Sequence, residues 1–180
     1  MTISFHHSIL LDITINFLVG ISSSLVFVLV ILRLFKPKIK ISDKICYKND
    51  ENGNKFYFFK IVNNSIYNAY SIKIELYKKT PYIVNKTKIN YRIQEIKISS
   101  NNYYFIPRYK KQKGYGDHAV LSRTFEDLSK EIDTENVEYV LYVSAKHGLS
   151  NLTSVTTMSF ESSKVFHKGN FKFGSNIRTL

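Results

Sequence analysis

Ile13-Thr-Ile-Asn-Phe-Leu-Val-Gly-Ile-Ser-Ser-Ser-Leu-Val-Phe-Val-Leu-Val-Ile-Leu32 is a run of twenty residues without a charge. A helix rises about 1.5 Å per residue, so such a run spans about 30 Å, the thickness of a bilayer's hydrocarbon core. A core helix of this length would normally carry a polar stripe. Here the polar side chains are Thr14, Asn16 and Ser22 to Ser24, and the C-terminal half is apolar all round. A cleavable signal needs a basic start, a shorter apolar core and a small-residue cleavage site. Residues 1–12 contain no Lys or Arg, and the run is followed by Arg33-Leu-Phe-Lys36. The sequence therefore predicts a transmembrane helix over residues 13–35, preceded by a short non-cytoplasmic N-terminus (1–12) and followed by one domain (36–180).

Charge sets the expected orientation. Asp12 is the only charged residue before the run, whereas Arg33, Lys36, Lys38, Lys40 and Lys44 follow it. Basic flanks stay on the cytoplasmic side. The expected location is thus the cell membrane, single-pass, with the N-terminus outside and the domain in the cytoplasm. Pro37 marks where the helix should stop.

The rest of the chain is polar, aromatic and basic. The net charge is +12, and because Asp12 and Arg33 cancel, the domain carries all of it. A basic domain tethered to a bilayer points to anionic lipid as a partner, with nucleic acid or a nucleotide as the less favoured acidic alternative. The single cysteine, Cys46, excludes an internal disulfide and suits a reducing compartment. Sequons at Asn63, Asn85 and Asn151 are expected by chance in so Asn-rich a chain, and on the cytoplasmic side they would stay unmodified.

Outward from the helix the hydrophobic period becomes two. Ile39–Tyr47 alternates loosely. Asn49–Asn54 is a turn by composition. Lys55–Val62 is apolar on both faces and reads as a central strand. Tyr70, Ile72, Ile74 and Leu76 alternate with polar neighbours. Ile89, Tyr91 and Ile93 share a face, but the apolar side then shifts to Ile96 and Ile98. That shift predicts a β-bulge near Gln94-Glu95. Tyr103–Ile106, Val137–Ala145 and Leu152–Phe160 read as strands, and Phe171–Phe173 as a last short one. Thr124–Ile132, with Phe125, Leu128 and Ile132 on one face and Thr124/Asp127 as a capping box, predicts the only soluble helix. Seven to nine short strands with one helix predict a mainly β fold: an immunoglobulin-like β-sandwich behind the N-terminal helix.

The domain contains no Gly-x-Ser-x-Gly, phosphate loop, His-Glu-x-x-His or paired Cys-x-x-Cys, so the expectation is a non-enzymatic module without a cofactor. His118, His147 and His167 with Asp117 would form a metal or proton-transfer site only if they converged in space. Otherwise they are separate loop and edge residues, and no metal site is expected. The first candidate contact is the basic, aromatic loop Arg108, Tyr109, Lys110, Lys111, Lys113 and Tyr115. Four cations within six residues, interleaved with tyrosines, suit lipid headgroups, phosphates or stacked bases. Gly114 and Gly116 would let backbone approach a ligand. The second candidate is the Lys146-His147-Gly148 turn, where Gly148 would supply a positive φ. In the helix, Asn16, Gly20 and Ser22–Ser24 offer polar and small side chains to a second copy, which makes a homo-oligomer through the helix an expected partner.

The order helix, Lys36-Pro-Lys-Ile-Lys40 exit and strand-rich domain, with Lys60-Ile-Val-Asn-Asn-Ser65 and Val143-Ser-Ala-Lys-His-Gly148, resembles small bacterial single-pass membrane proteins of uncharacterised function. Their cytoplasmic part is a β-sandwich-like domain. A distant resemblance to inward-rectifier potassium channels stops at that layout, because a second membrane helix, a pore loop and a selectivity filter are missing. Neither resemblance implies a functional residue. The functional expectation is a membrane-anchored binding or interaction module, with a protein partner in a multi-protein system. The competing expectation is a membrane-acting effector, of the kind used in bacterial defence. It would sense a ligand through the β domain and oligomerise through its helix.

Overall fold

The computed structural model describes residues 2–85, 88–111, 114, 116–132 and 136–180, with side chains described from Asp12 onward. It divides into an N-terminal helical unit and a compact unit, Pro37–Leu180. Helix α1 runs Thr2–Phe35, beginning well before the apolar run. Its segment Asp12–Phe35 is long and apolar enough to cross a membrane, and none of its apolar window is buried by protein. Its Leu, Val, Ile and Phe side chains are exposed on all sides of the helix, with no polar stripe.

The second unit is mainly β, with two sheets packed as a sandwich. The strands are β1 Ile39–Ile41, β2 Ile45–Asn49, β3 Lys55–Asn63, β4 Ala69–Asn85, β5 Lys88–Ile96, β6 Asn102–Ile106, β7 Ala119–Thr124, β8 Glu138–His147, β9 Thr153–Phe160 and β10 Phe166–Lys168. In the first sheet β3 is central. Strands β1 and β2 share one of its edges, β7 takes the other, and β10 lies parallel to β2. In the second sheet β4 is central, with β5 and β6 in succession along one edge and β8 then β9 along the other.

The period of two is visible in burial. On β3, Tyr57, Phe59 and Ile61 point into the shared core with Ile72, Ile74 and Leu76 of β4 and Leu141 and Val143 of β8. Phe59 meets Phe160 across the sandwich at 5.8 Å between ring centroids. The other face of β3 is also covered, as its two-sided apolar pattern requires. Phe58 and Cys46 pack with Phe171 of the C-terminal segment. Lys60 is buried there, and its Nζ donates to the carbonyls of Lys172 (2.5 Å) and Asn176 (2.8 Å). Burial lowers its pKa, and burial pushes the nearby Cys46 thiol up to about 11.

Four expectations change. Thr124–Ile132 is not a helix. Thr124 ends β7, residues 125–127 are irregular with a bend at Glu126, and residues 128–132 are turns. Local hydrogen bonds take the place of a helix ladder. Thr124 Oγ1 accepts the Glu126 N–H, and the Asp127 carboxylate accepts the Ser129 N–H, the Ser129 hydroxyl (2.8 Å) and the Tyr57 hydroxyl (2.7 Å). Leu128 and Ile132 are buried as their spacing suggested, but Phe125 is exposed. Apart from α1, the helical content among the described residues is a single 3₁₀ turn at Ser163–Val165.

No bulge interrupts β5 at Gln94-Glu95. Its register with β4 is continuous from Leu76↔Ile96 to Ile83↔Ile89 and shifts only between Ile83 and Asn85. The parity change has another cause: Ile96 and Ile98 face inward, whereas Ile89, Tyr91 and Ile93 face solvent. The final strand is Phe166–Lys168, not Phe171–Phe173, and Phe171 makes only an isolated bridge to Thr179. Gly148 has no positive φ; its role is to leave space, as described below.

Candidate functional site: a basic, tyrosine-lined cavity

One end of the second sheet holds a cavity of about 720 Å³. Its walls come from three places: the loop after β3 (Ile66, Tyr67, Asn68), the start of β4 with β6 and its exit (Tyr70, Ser71, Tyr104, Arg108), and the β8–β9 turn (Lys146 to Leu149, Asn151). No Asp or Glu lines it, and Arg108, Lys146 and His147 do.

Asn63 holds two of these walls together. It is fully buried, and its Nδ2 donates to the carbonyls of Tyr67 (3.0 Å), Ile106 (3.1 Å) and Pro107 (3.0 Å). Its Oδ1 accepts the Ser65 N–H at 3.0 Å. The side chain thus fixes the 63–68 loop against the end of β6, the two segments that carry Tyr67 and Arg108. A second clamp is the Arg108 N–H donated to Asn68 Oδ1 at 2.9 Å.

The floor is irregular backbone. The pairing of β4 with β8 slips between Tyr70 and Lys73, and Ser71 within the slip has φ 47°. A non-glycine residue in that region is strained, and such bulges recur beside binding sites because they re-aim side chains. Tyr70 is turned toward Tyr104, the two rings meeting edge-on at 6.3 Å. Gly148 lies against the same ring: a Cβ there would stand 2.8 Å from Tyr70 Cε2. Glycine is therefore needed for close approach.

His147 is buried in the turn, with Tyr67 edge-on to its ring at 4.3 Å. Its Nδ1 accepts the Ser150 N–H at 3.2 Å and lies 2.8 Å from Ser150 Oγ. A backbone N–H can only donate, so Nδ1 carries the lone pair and the neutral ring holds its proton on Nε2. The Ser150–His147 contact is short enough for a nucleophile and base. However, Ser150 Oγ also accepts the Leu152 N–H, and the set closes a tight turn. The cavity's charged groups are both donors, Arg108 and Lys146, set among Tyr hydroxyls and the polar side chains of Asn68, Ser71 and Asn151.

The basic loop divides. Arg108 joins the secondary candidates Lys146 and His147 at the cavity. Tyr109 turns away: its N–H donates to the Ser65 carbonyl, and its ring packs edge-on to His118 at 5.2 Å. Lys110 lies 3.8 Å from Asp117, and Lys111 is exposed. Lys113 and Tyr115 lie outside the described residues. Gly116 serves packing rather than ligand approach, since a Cβ there would meet the Phe173 ring at 2.6 Å.

The three histidines occupy different settings. His147 is at the cavity, His167 Nε2 contacts the Leu180 carbonyl at 2.8 Å, and His118 is buried with neither ring nitrogen hydrogen-bonded. Among the described residues no group of three His, Cys, Asp or Glu could hold a metal ion. The sequence signal for Tyr67, Tyr70 and Tyr104 was the chain's general richness in tyrosine, which does not single them out. The Asn63-Asn64-Ser65 break was visible as a break, not as a clamp.

No protein-family model matches the chain, and no curated protein matches it in sequence.

Proposed function

We propose that this chain is a single-pass, membrane-anchored binding module whose cytoplasmic β domain takes a small acidic ligand in the Arg108–Lys146–His147 cavity. The observation that carries this reading is the convergence of three cationic or donor side chains, from segments about forty residues apart in sequence, on a cavity without a carboxylate. A volume of this size is in the range of small-molecule sites, roughly 300–1,000 Å³. The tyrosines suit a ligand with a planar body, and the cations suit a phosphate or carboxylate on it. A nucleoside monophosphate has both. Binding without turnover fits a site in which Ser150 and His147 are committed to a turn. Single-pass anchoring rests on the Asp12–Phe35 span, and a cytoplasmic domain rests on the basic flank that follows it.

The test is calorimetric titration of the full chain in detergent micelles with adenosine monophosphate, adenosine and inorganic phosphate. The monophosphate should bind, and neutral adenosine should bind far more weakly. The double variant Arg108→Gln/Lys146→Gln should lose about 3 kcal/mol, on the order of a hundredfold in affinity, at about 1.5 kcal/mol or more per charged hydrogen bond. Failure of all three to bind, or a double variant that binds as the parent does, refutes the proposal.

The effector reading draws on one feature of α1. Around Gly20 nothing lies within 4 Å of an added Cβ position, and Ser24 follows four residues later, a small-residue pair at which a second helix can approach. Ligand capture would then favour helix pairing, and ligand-dependent crosslinking that Gly20→Leu leaves unchanged would refute it.

A further inference from the structure

The pairing of β4 with β8 ends at Lys79↔Glu138, and Pro81, which has no N–H to give, follows two residues later. From there β4 and β5 continue as a two-stranded ribbon, with Pro81↔Tyr91, Tyr82↔Asn90 and Ile83↔Ile89. Directly paired residues share a face. One face therefore carries Pro81, Ile83, Ile89, Tyr91 and Ile93, with Lys79, ion-paired to Glu138, opposite Ile93 at its base; the other carries Thr80, Tyr82, Asn90, Arg92 and Gln94. The apolar face is open: Ile83 is 75%, Ile89 65% and Ile93 62% exposed. From Thr80 to Gln94 the chain has Lys86, Lys88 and Arg92 and no carboxylate.

We infer that this ribbon lies on an anionic lipid surface, its apolar face among the upper acyl chains and the cations Lys88 and Arg92 of the opposite face at the phosphates. The arrangement is the β counterpart of an interfacial amphipathic helix, which buries its apolar face about 5–10 Å deep and keeps Lys and Arg at headgroup level. Tyr91, with an apolar ring and a polar tip, suits that boundary. A second copy of the chain fits the face less well, because it would bring two cationic ribbons together on domains that carry all of the +12 charge. The inference rests on the anchoring part of the proposed function, which keeps the ribbon within reach of lipid, and is independent of the cavity.

The chain has no tryptophan, so one can be placed as a reporter. Tyr91→Trp in the full chain is incorporated into vesicles of phosphatidylcholine and phosphatidylglycerol whose acyl chains carry bromine. Fluorescence should be blue-shifted and quenched several-fold more than for Phe173→Trp, an exposed position on the C-terminal segment. Adding Ile83→Thr and Ile89→Thr, polar residues that keep the strand pair, should remove most of the difference without moving the thermal transition, since both side chains are already in solvent. If the chain floats with the vesicles but Tyr91→Trp is quenched no more than Phe173→Trp, the ribbon contact is overturned and the anchor stands. A chain that does not float overturns both. A blue shift that grows with protein concentration without bromine quenching assigns the face to a second copy and also overturns the inference.

Discussion

Asn63→Ala should loosen the cavity and the domain together. The side chain is fully buried and makes four hydrogen bonds between 3.0 and 3.1 Å, three donated to carbonyls and one accepted from an N–H. Two N–H hydrogens serve three acceptors, so the donated set counts as about two full bonds. With the accepted bond that makes about three, at about 1 kcal/mol net each, and the groups left unpaired in the interior add to it. A loss of about 3–4 kcal/mol follows, and for a domain of this size each kcal/mol moves the transition by about 2–4 °C. Circular dichroism melting of the full chain should therefore fall by roughly 6–16 °C by the same scaling. The neighbour Asn64→Ala is the control. Its backbone N–H pairs with the Lys38 carbonyl, an interaction that survives the substitution, so its effect should stay within about 0.5 kcal/mol. At a temperature where Asn63→Ala is still folded, its ligand affinity should also fall, because Tyr67 and Arg108 are no longer held in register. A melting shift no larger than that of Asn64→Ala would refute the clamp.

Three further outcomes are expected. Gly148→Ala should displace the Tyr70 ring, costing about 1 kcal/mol in ligand binding, or roughly fivefold in titration, with a smaller change in melting. An unchanged affinity would show that Tyr70 does not face the ligand. Ser71→Gly should raise stability by about 0.5–1 kcal/mol in urea unfolding, the relief of the left-handed backbone outweighing the added freedom of the unfolded chain. Ser71→Val should lower it, and equal effects of the two would argue against strain. The carboxyl of Asp127 is half-buried, and burial alone would raise its pKa. The hydrogen bonds from Tyr57 and Ser129, helped by Lys130, outweigh that and hold it at about 2, below the ordinary 3.8. A depressed pKa contributes stability above the unfolded value that is lost as pH falls through the folded one. Between about pH 4 and pH 2 the parent should lose about 1–2 kcal/mol that Asp127→Asn does not lose. Parallel acid limbs would refute this.

The hydrophobic pattern carried the helix and the mainly β architecture. A charge-free run of membrane length and repeated alternation over Tyr70–Leu76 and Val137–Ala145 depend on burial alone, and burial is what a pattern encodes. Where local hydrogen bonding decides, the pattern misled. Thr124–Ile132 has helical spacing, but Thr124 and Asp127 bind nearby backbone and Tyr57 and hold it in turns. Strand β7 was hidden because only its alternate residues Ser122 and Thr124 are buried, and both are polar. The β4–β5 ribbon was hidden for the opposite reason: Ile89, Tyr91 and Ile93 look like core, but they lie on the outer face of the second sheet, opposite in parity to the inward Ile96 and Ile98. At the site, Arg108, Lys146 and His147 were legible as chemistry but not as neighbours. Their meeting depends on the Asn63 clamp and the slip at Ser71, neither of which has a period.

The central claim is that an acidic ligand sits among Arg108, Lys146 and His147. Nitrogen-detected magnetic resonance of the full chain in micelles, labelled at Arg and His side chains and titrated with adenosine monophosphate, tests it most directly. The Arg108 Nε and the His147 ring nitrogens should shift together along one saturating curve, with His118 and His167 unmoved. Saturable shifts at His118 or His167 with His147 still, or no shift at Arg108, would contradict it.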